Sequence, residues 1–403
     1  MIYKLKDICI RITDGSHFSP KAKTNGYPMF SVKDMLTYGF DYSNCKRICK
    51  EDFEKMLKSG CVPQAGDVLV AKDGSYLKEI FVCTETKKEA VLSSIAIFRP
   101  NQKIVNSYFL CYLLKSPNIY NYISSNCVSG SALPRIILKA FKEIEVDIPD
   151  LHVQENIVRI LKLLDDKIAL NTRINRNLSE QAAALYKSWF VDFEPFEGEK
   201  PDDWNDGTVG DLANEIVCGK TPSTKKEEYY GKDVPFVTIP DMHGCIYTVH
   251  TERKLSVLGA DSQSKKTLPK NSICVSCIGT AGLVVLLSEP SQTNQQINTI
   301  VPKANYSPYY IYLMMDTMAE TINKLGQAGS TIVNLNKTQF GKMEVMIPSV
   351  AAMSDFDEIV EPMFKEILSN QIENKELLLL RDELLPKLMV GDIDLSDIEL
   401  LKR

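Results

Sequence analysis

Three residues in the second half of the chain have the types and spacing of a metal-dependent nuclease. A Pro-Asp pair ending at Asp241 is followed by Glu252 and Lys254, which matches the pattern Pro-Asp…Glu-x-Lys. In such a site two carboxylates hold Mg²⁺, and the lysine activates water or steadies the phosphate. The pattern is short and often matches by accident. Asp34 repeats the aspartate in the first half, but the Glu and Lys have no counterpart there, so a stand-alone nuclease is the alternative interpretation.

Other catalytic and metal-binding motifs are missing from the sequence. There is no Pro-Pro for the Asn/Asp-Pro-Pro-aromatic loop of a DNA aminomethyltransferase, no Gly-x4-Gly-Lys-Ser/Thr for a nucleotide-driven motor, and no His-Glu-x-x-His. Cys274 and Cys277 form one Cys-x-x-Cys without a second pair, and on a strand their sulfur atoms would point to opposite faces. His243 and Cys245 are too isolated to complete a zinc site. We therefore predict no catalytic residue and no metal site.

Small polar residues in predicted loops, at matching places in the two halves, are the better candidates for function. Gly and Ser let backbone N–H groups approach phosphates, while Asn, Gln, Arg and Lys can read base edges. The first set of candidate DNA contacts is Thr13, Asp14, Gly15, Ser16, His17, Lys33, Lys72, Asp73, Gly74, Ser75, Ser93, Ser94, Ser129, Gly130, Ser131 and Arg135. The second set is Gly219, Lys220, Thr221, Thr238, His243, Gly279, Thr280, Gln295, Gln296, Asn298, Gly329, Ser330, Thr331 and Asn334. Taken singly, each of these is an ordinary turn residue.

An internal duplication underlies these matching places. The segment Phe-Lys-Glu-Ile-Glu-Val-Asp-Ile-Pro at 141–149 recurs as Phe-Gly-Lys-Met-Glu-Val-Met-Ile-Pro at 340–348, and the segments at 68–75 and 273–280 also correspond. Alternating apolar and β-branched residues predict strands at 68–71, 93–98 and 143–148. Helical spacing predicts helices at 105–114 and 308–318. Each half is thus a mixed unit of short strands and helices.

Two long helices, also duplicated, organise the chain. Alternate steps of four and three residues trace an apolar seam with a period of 3.5, typical of a helix that packs along another helix. The seam residues are Ile157, Leu161, Leu164, Ile168, Asn171, Asn175, Leu178, Leu185 and Trp189 in the first copy, and Met363, Ile367, Asn370, Asn374, Leu377, Leu384 and Leu388 in the second. The two Asn steps recur in place; only Ala182, which becomes Arg381, loses its apolar character. We expect the asparagines to hydrogen-bond across the pair and fix its register.

These patterns predict an α/β (α+β) protein with an internal duplication. Its expected parts are target-recognition domain 1 at 1–150, a spacer helix and linker at 151–200, target-recognition domain 2 at 201–348, and a second spacer helix and tail at 349–403. Asp150 is a plausible N-cap for the first helix. Pro362 predicts a kink, or a short preliminary helix before a long helix that starts at about Glu361.

Composition and charge agree with a cytoplasmic protein that is not embedded in a membrane. Eleven cysteines without framework spacing fit reduced thiols, and no signal peptide is visible. The net charge of −5 is uneven: residues 1–150 hold 21 Lys and Arg against 16 Asp and Glu, whereas residues 349–403 hold 6 against 13. A basic surface on the first half is therefore compatible with DNA binding.

The architecture resembles the specificity (S) subunit of type I restriction–modification enzymes. The resemblance rests on two units, each followed by a repeated helix that opens after Glu-Val-x-Ile-Pro. It rests also on Leu-Tyr-Lys-Ser-Trp-Phe-Val-Asp-Phe at 185–193, Leu-Leu-Pro-Lys-Leu at 384–388, and Lys-Pro-Asp-Asp-Trp at 200–204 with Gly-Asp-Leu at 210–212. It covers nearly the whole chain.

This resemblance implies a non-catalytic subunit of a restriction system that directs DNA methylation and cleavage. Two recognition domains would each read half of a split, asymmetric site in double-stranded DNA, and the helices would pair as an antiparallel coiled coil. The implied partners are two adenine methyltransferase (modification) subunits and the restriction (motor nuclease) subunits, which would hold S-adenosylmethionine, ATP and Mg²⁺. No base contact carries over residue by residue. Besides the nuclease, a coiled-coil scaffold that binds only proteins stays open as an alternative.

Overall fold

A computed structural model describes residues 1–74, 76–129, 134–327, 333–393 and 395. The chain divides into two compact units: unit 1 is Met1–Ala169 with Leu377–Arg403, and unit 2 is Leu170–Glu376. Each unit therefore contains part of both long helices. Among the described residues, no helix has the length and apolar content required to span a bilayer.

Unit 1 is a small mixed structure built mainly of antiparallel strands. Its strands are β1 (Ile2–Lys4), β2 (Cys9–Asp14), β3 (Tyr27–Phe30), β4 (Met35–Leu36), β5 (Gly39–Phe40), β6 (Lys46–Ile48), β7 (Val68–Ala71), β8 (Ile80–Val82), β9 (Ala90–Val91), β10 (Ile95–Pro100) and β11 (Glu145–Asp147). Its helices are α1 (Leu5–Ile8), α2 (Lys50–Ser59), α3 (Ser107–Lys115), α4 (Pro117–Asn126) and α5 (Leu138–Lys142), followed by the start of α6 (Leu151–Phe190). The central sheet has the order β2-β10-β7-β8, and a smaller sheet has the order β6-β3-β9.

Unit 2 repeats this arrangement. Its strands are β12 (Asn205–Thr208), β13 (Ala213–Cys218), β14 (Tyr230–Gly231), β15 (Val234–Val237), β16 (Tyr247–Thr248), β17 (Arg253–Leu255), β18 (Ile273–Ser276), β19 (Val284–Leu287), β20 (Gln292–Thr293), β21 (Ile297–Pro302) and β22 (Glu344–Ile347). Its helices are α7 (Val209–Leu212), α8 (Val257–Asp261), α9 (Pro308–Thr317), α10 (Ala319–Gly326) and α11 (Lys337–Gly341), before α12 (Val350–Val390). The sheet order β13-β21-β18-β19-β16 reproduces the order in unit 1 with one added strand.

The duplicated segments of the sequence occupy equivalent strands. The matched segments at 68–71 and 273–276 form β7 and β18, and the segments that begin at Ile95 and Ile297 form β10 and β21. The predicted helices at 105–114 and 308–318 are α3 and α9. The predicted mixed fold, the long helix between two domains and the internal duplication are therefore confirmed.

The first long helix begins where the sequence indicated, and the second begins earlier. Asp150 accepts a hydrogen bond at Oδ1 from the Val153 backbone N–H at 3.0 Å, so it caps α6 as predicted. The predicted start of the second helix near Glu361 is wrong, because α12 runs without interruption from Val350 through Pro362. Phe356, Val360 and Phe364 are fully buried around this proline. Their packing into the core of unit 2 outweighs the loss of one helical hydrogen bond.

Candidate nucleic-acid interface

The candidate loops of each unit are collected at one edge of its central sheet. Antiparallel pairing sets Ala96 of β10 opposite Asp14 of β2, and Ile95 opposite Ala71 of β7. The loops that follow β2 and β7 therefore meet the loop that precedes β10. In unit 2 the same edge is formed where β13 and β18 end and β21 begins, with Cys218 opposite Asn298.

A cleft of about 630 Å³ opens at this edge of unit 1. The residues of the predicted set that line it are Ser16, His17, Lys33, Asp73, Gly74, Ser93, Ser94 and Arg135. The cleft is also lined by Lys78 and Glu79, which the sequence analysis missed because they belong to no repeated motif. Thus loops that are far apart in the sequence form one polar surface.

Lys72, one of the predicted DNA contacts, is a buried ion beneath the cleft and is not exposed on its surface. Its Nζ lies 2.9 Å from Oδ1 of Asp73 and 3.9 Å from Oδ2 of Asp14. Only 6% of the residue is exposed. The role of Lys72 is therefore to neutralise two carboxylates under the cleft.

Two exposed basic side chains approach this charge cluster from the cleft side. His17 Nε2 is 3.6 Å from Asp14 Oδ2, and Arg135 Nε is 3.7 Å from Asp73 Oδ2. Burial raises the pKa of Asp14, against the opposing effects of Lys72 and His17. Because these ion pairs are long and exposed on the cation side, His17 and Arg135 can turn to a phosphate or base without leaving a buried charge unpaired.

Other candidates in unit 1 shape the backbone. Gly15 is required by close packing, since a Cβ there would lie 2.4 Å from the carbonyl oxygens of Val91 and Leu92. Thr13 is half-buried and paired opposite Ile97 within the sheet. Ser129 donates its backbone N–H to the Arg135 carbonyl at 2.8 Å. Ser75, Gly130 and Ser131 lie outside the described residues.

In unit 2 the loop after β13 and the loop before β21 form an amide-rich surface at the corresponding edge. Thr221 Oγ1 donates to Oε1 of the exposed Gln295 at 2.7 Å. Gln296 accepts at Oε1 from Asn294 Nδ2 at 3.0 Å. Lys220 is exposed beside Gly219, where a Cβ would lie 2.1 Å from the Asn294 carbonyl oxygen. These loops therefore present amides and one lysine.

The third loop of unit 2 joins the same edge. Asn334 forms a bridge with Ile278, and the Gly279 N–H donates to the Val333 carbonyl at 3.1 Å. Gly279, Thr280 and Asn334 are exposed. Gly329, Ser330 and Thr331 lie outside the described residues.

Asn298 and Thr238 are less available than the sequence suggested. Asn298 is buried: the residue is 2% exposed, and its Nδ2 donates to the Leu335 carbonyl at 3.1 Å. Thr238 Oγ1 donates to Asp241 Oδ2 at 2.7 Å, so its hydroxyl can only accept a further bond. His243, one residue beyond that 3₁₀ turn (Ile239–Met242), is exposed.

The nuclease-like residues have a structural role. Asp241 accepts at Oδ2 from the N–H of Thr238 and at Oδ1 from the N–H of Glu252, both at 2.8 Å. Asp34 caps the equivalent turn in unit 1 through Ser31. Both oxygens of Asp241 are thus used to hold a loop, and within the described part of the chain no group of three His, Cys, Asp or Glu residues could hold a metal.

The Cys-x-x-Cys thiols are core residues. Burial raises the pKa of Cys274 to about 12 and that of Cys277 to about 11. Both are less than 2% exposed. Metal ligation requires thiolates, which this environment disfavours.

In unit 2 the seam asparagines bond across the helix pair. Asn171 Nδ2 donates to Asn374 Oδ1 at 3.0 Å, and Asn370 Nδ2 donates to Asn175 Oδ1 at 2.9 Å. The earlier asparagine of α6 pairs with the later asparagine of α12, and the later one of α6 with the earlier one of α12. The two helices are therefore antiparallel here. Every predicted seam residue of the two helices is buried or half-buried.

In unit 1 the helices meet through a buried ion pair. Arg381 Nη1 lies 3.0 Å from Asp165 Oδ1. Tyr112 donates to Asp165 Oδ2 at 2.7 Å, and Tyr38 donates to Oδ1 at 3.0 Å. This network explains why the seam breaks at Arg381.

Comparison with known proteins identifies the family. The family model described as "Type I restriction modification DNA specificity domain" matches residues 1–180 and 201–378. The chain belongs to this family. It is 35% identical to the type I restriction enzyme HindI specificity subunit of Haemophilus influenzae, over 97% of this chain and 99% of that protein. It is 24% identical to the MjaIX specificity subunit of Methanocaldococcus jannaschii, over 98% and 94% of the two chains.

The type I specificity fold is also seen among solved structures. The crystal structure of a type I restriction–modification S subunit from M. genitalium matches with a TM-score of 0.59 and 16% identity. The match covers 96% of this chain and 95% of that chain. Both family-model matches end inside a long helix, so each repeat of this family includes helix as well as recognition domain.

Proposed function

We propose that this chain is the DNA sequence-recognition subunit of a type I restriction–modification complex and has no catalytic activity of its own. Unit 1 and unit 2 each read one half of a split, asymmetric site. The observation that carries this proposal is the duplication of one sheet edge with different side chains. In a member of the specificity family, two similar platforms with different surface chemistry fit two different half-sites.

The two edges differ in the groups that they expose. Unit 1 exposes His17, Lys33 and Arg135, whereas unit 2 exposes the amides of Gln295 and Asn334 beside a single lysine, Lys220. Arginine and lysine pair with the guanine edge, and amides pair with adenine. The two halves of the recognised sequence should therefore not be copies of each other.

The helix pair is the proposed assembly surface for two modification (methyltransferase) subunits and for the restriction subunits. Leu163 is 49% exposed and Leu379 is 62% exposed on the helix segments of unit 1. Ile372 is 41% exposed on the segment of unit 2. These side chains lie outside the seam between α6 and α12 and are therefore available for contact with partner subunits. S-adenosylmethionine, ATP and Mg²⁺ belong to those partners.

Methylation mapping tests the proposal. Genomic DNA from cells that express this chain with its modification subunits is compared with DNA from cells that lack only this chain. A bipartite methylated sequence present only in the first sample supports the proposal. Methylation that is absent, or that is unchanged without this chain, contradicts it.

Two alternatives are separated by further measurements. Purified chain with Mg²⁺ and plasmid DNA tests the nuclease, and the use of both Asp241 oxygens by backbone N–H groups argues against cleavage. A scaffold that binds only proteins would show no sequence preference in DNA protection even with the modification subunits present. The exposed cations of the unit 1 cleft argue against this second alternative.

A further inference from the structure

Two exposed apolar side chains adjoin the cleft of unit 1. Phe18 is 59% exposed and lies between His17 and Ser19, which both line the cleft. Leu36 is 52% exposed and follows Met35, another lining residue. Neither residue belongs to the polar set by which this surface was recognised from the sequence.

The backbone fixes both residues firmly. Ser16 is 8% exposed, and its hydroxyl donates to the Phe18 carbonyl at 2.8 Å while it accepts from the Phe18 N–H at 3.1 Å. Leu36 pairs opposite Gly39 in the β4–β5 hairpin, which follows the turn capped by Asp34. Because the backbone is already ordered at both residues, binding needs to fix only the few torsions of one aromatic and one branched side chain.

The charges around these residues indicate the binding partner. Lys21, Lys23 and Lys33 are exposed on the same loops. Lys46 Nζ donates to Ser19 Oγ at 2.8 Å, so a fourth cation stands beside Phe18. Exposed apolar side chains on loops that also carry exposed lysines are suited to a polyanion that carries apolar groups between its phosphates, which describes a DNA groove.

Unit 2 lacks this feature at the equivalent positions. The duplication aligns Phe18 with Pro222, which is buried, and Leu36 with His243, which is exposed and polar. The apolar pair is therefore not required by the fold. The apolar pair is specific to unit 1.

We propose that Phe18 and Leu36 are specificity-determining residues that contact thymine 5-methyl groups in the half-site read by unit 1. The thymine methyl is the apolar group that bases present in the major groove, and phenylalanine and other apolar side chains are suited to contact it. This proposal rests on the proposed function, because it requires that unit 1 reads DNA. It adds which base group unit 1 reads and with which side chains.

Uracil substitution tests the contact directly, since uracil keeps the hydrogen bonds of thymine and lacks its methyl. The full complex of this chain with its modification subunits is bound to a duplex that carries the site found by methylation mapping. Each thymine of the half-site is replaced in turn by uracil. Loss of one contacted methyl should weaken binding about fourfold, the effect of burying one methyl-sized group.

The side chains are then tested together with the bases. Phe18→Ala and Leu36→Ser should each weaken binding to the thymine duplex, and each should abolish the further loss caused by one particular uracil. Leu57→Ser is the matched control, because Leu57 is 51% exposed on α2 of the same unit and does not line the cleft. The control should leave binding and every uracil effect unchanged. Melting temperatures verify that all three variants are folded.

Three results would overturn the inference. The first is a half-site for unit 1 in which replacement of thymine by uracil never weakens binding. The second is a set of uracil effects that stay the same size in both variants. The third is binding that neither variant weakens. In each case bipartite methylation would persist, so that failure of this inference differs from failure of the proposed function, in which no bipartite methylation appears.

Discussion

Two lysines of the predicted DNA-contact set, Lys72 and Lys33, have different roles at the edge of unit 1. Lys72→Met should destabilise unit 1 by about 3 kcal/mol, because Asp14 and Asp73 would remain buried without their cation. Lys33 is exposed, so Lys33→Met should change stability by less than about 0.5 kcal/mol. Thermal melting of the two variants side by side measures this difference.

In DNA binding, Lys33→Met should have the larger direct effect and Lys72→Met the smaller one. Lys33→Met should lower affinity and reduce the slope of log K against log salt by about one. Lys72→Met should leave that slope unchanged in whatever fraction stays folded. A normal melting temperature for Lys72→Met together with a reduced salt slope would show that Lys72 reaches DNA after all.

A buried carboxylate in unit 2 gives a prediction about pH. Burial raises the pKa of Asp357 from 3.8 to about 6, although Ser307 Oγ donates to its Oδ1 and opposes this shift. Since the folded protein binds this proton more tightly than the unfolded chain, the contribution of Asp357 to stability is complete below about pH 4. It is lost as the pH rises to about 6.

Asp357→Asn removes the titration and keeps an acceptor for Ser307. The melting temperature of the variant relative to the native chain should therefore rise between pH 4 and pH 6 and then stay level. The variant Asp316→Asn in the same unit is a useful comparison. Burial also raises the pKa of Asp316, but without a serine that donates a hydrogen bond to it. A difference between Asp357→Asn and native protein that does not depend on pH would contradict the assignment.

At the scale of elements, the helix pair is chemically different in the two units. In unit 1 Asp165 meets Arg381, and in unit 2 the duplicated positions are Phe364 and Ala182, both fully buried. Phe364 packs there edge-on against Tyr312 with ring centroids 5.6 Å apart. If two copies of α6 paired with each other, Asp165 would face Ala182 and lose its cation. The ion pair thus favours α6–α12 pairing within one chain over pairing of like helices.

Variants of Asp165 and Arg381 separate the effect of the ion pair on stability from its effect on which helices pair. Arg381→Ala should destabilise unit 1 by about 3 kcal/mol, because it leaves Asp165 buried and unpaired. Adding Asp165→Phe copies the apolar solution of unit 2 and should recover part of that loss, because the buried charge is removed while the hydroxyls of Tyr38 and Tyr112 lose their acceptor. The double variant should also form more intermolecular dimer than the native chain. Urea unfolding and light scattering measure both effects, and a double variant that is monomeric and no more stable than Arg381→Ala would refute the argument.

The seam asparagines give a second prediction for the same helices. Replacement of Asn171, Asn175, Asn370 and Asn374 by Leu should raise the melting temperature, because apolar packing replaces buried amides. It should also permit misregistered or self-associated species, since the hydrogen bonds that fix the register are removed. Gel filtration would detect these species. A single unchanged species with a lower melting temperature would show that the amides stabilise the pair instead.

Residue patterns predicted elements better than they predicted exposure. The period of 3.5 located both helices and their asparagines, because a seam is a property of one helix. Whether Lys72 and Asn298 face solvent depends on Asp14 and Leu335 respectively, and each of these partners is distant in sequence from the residue that it holds. The break in the seam at Arg381 became intelligible only with Asp165, and Pro362 was tolerated because Phe356 and Phe364 are buried around it. Tertiary partners decided each of these cases.

At the scale of the whole molecule, the two units divide the chain inside the long helices. Gln371 Oε1 accepts from the Tyr247 N–H at 3.0 Å, and Lys375 Nζ donates to the Val249 carbonyl at 2.9 Å. Phe364 stacks on Tyr309 with ring centroids 4.7 Å apart. These contacts bind one segment of α12 to the recognition domain of unit 2. A recognition domain should therefore be exchanged together with its own helix segments.

Two exchanges with the related HindI specificity subunit of Haemophilus influenzae test this modularity. Exchange of residues 170–376 as one block keeps the contacts of Gln371, Lys375 and Phe364 inside the transplanted piece. This chimera should fold as well as the native chain, retain the half-site of unit 1 and acquire a new second half-site. Exchange of residues 201–348 alone breaks those contacts and should lower the melting temperature by several degrees, since it disrupts packing and buried hydrogen bonds. Melting curves and methylation mapping of both chimeras test this prediction. Two chimeras of equal stability would show that the helix segments need not be exchanged with the domain. A 170–376 exchange that alters both half-sites would show that the units do not read DNA independently.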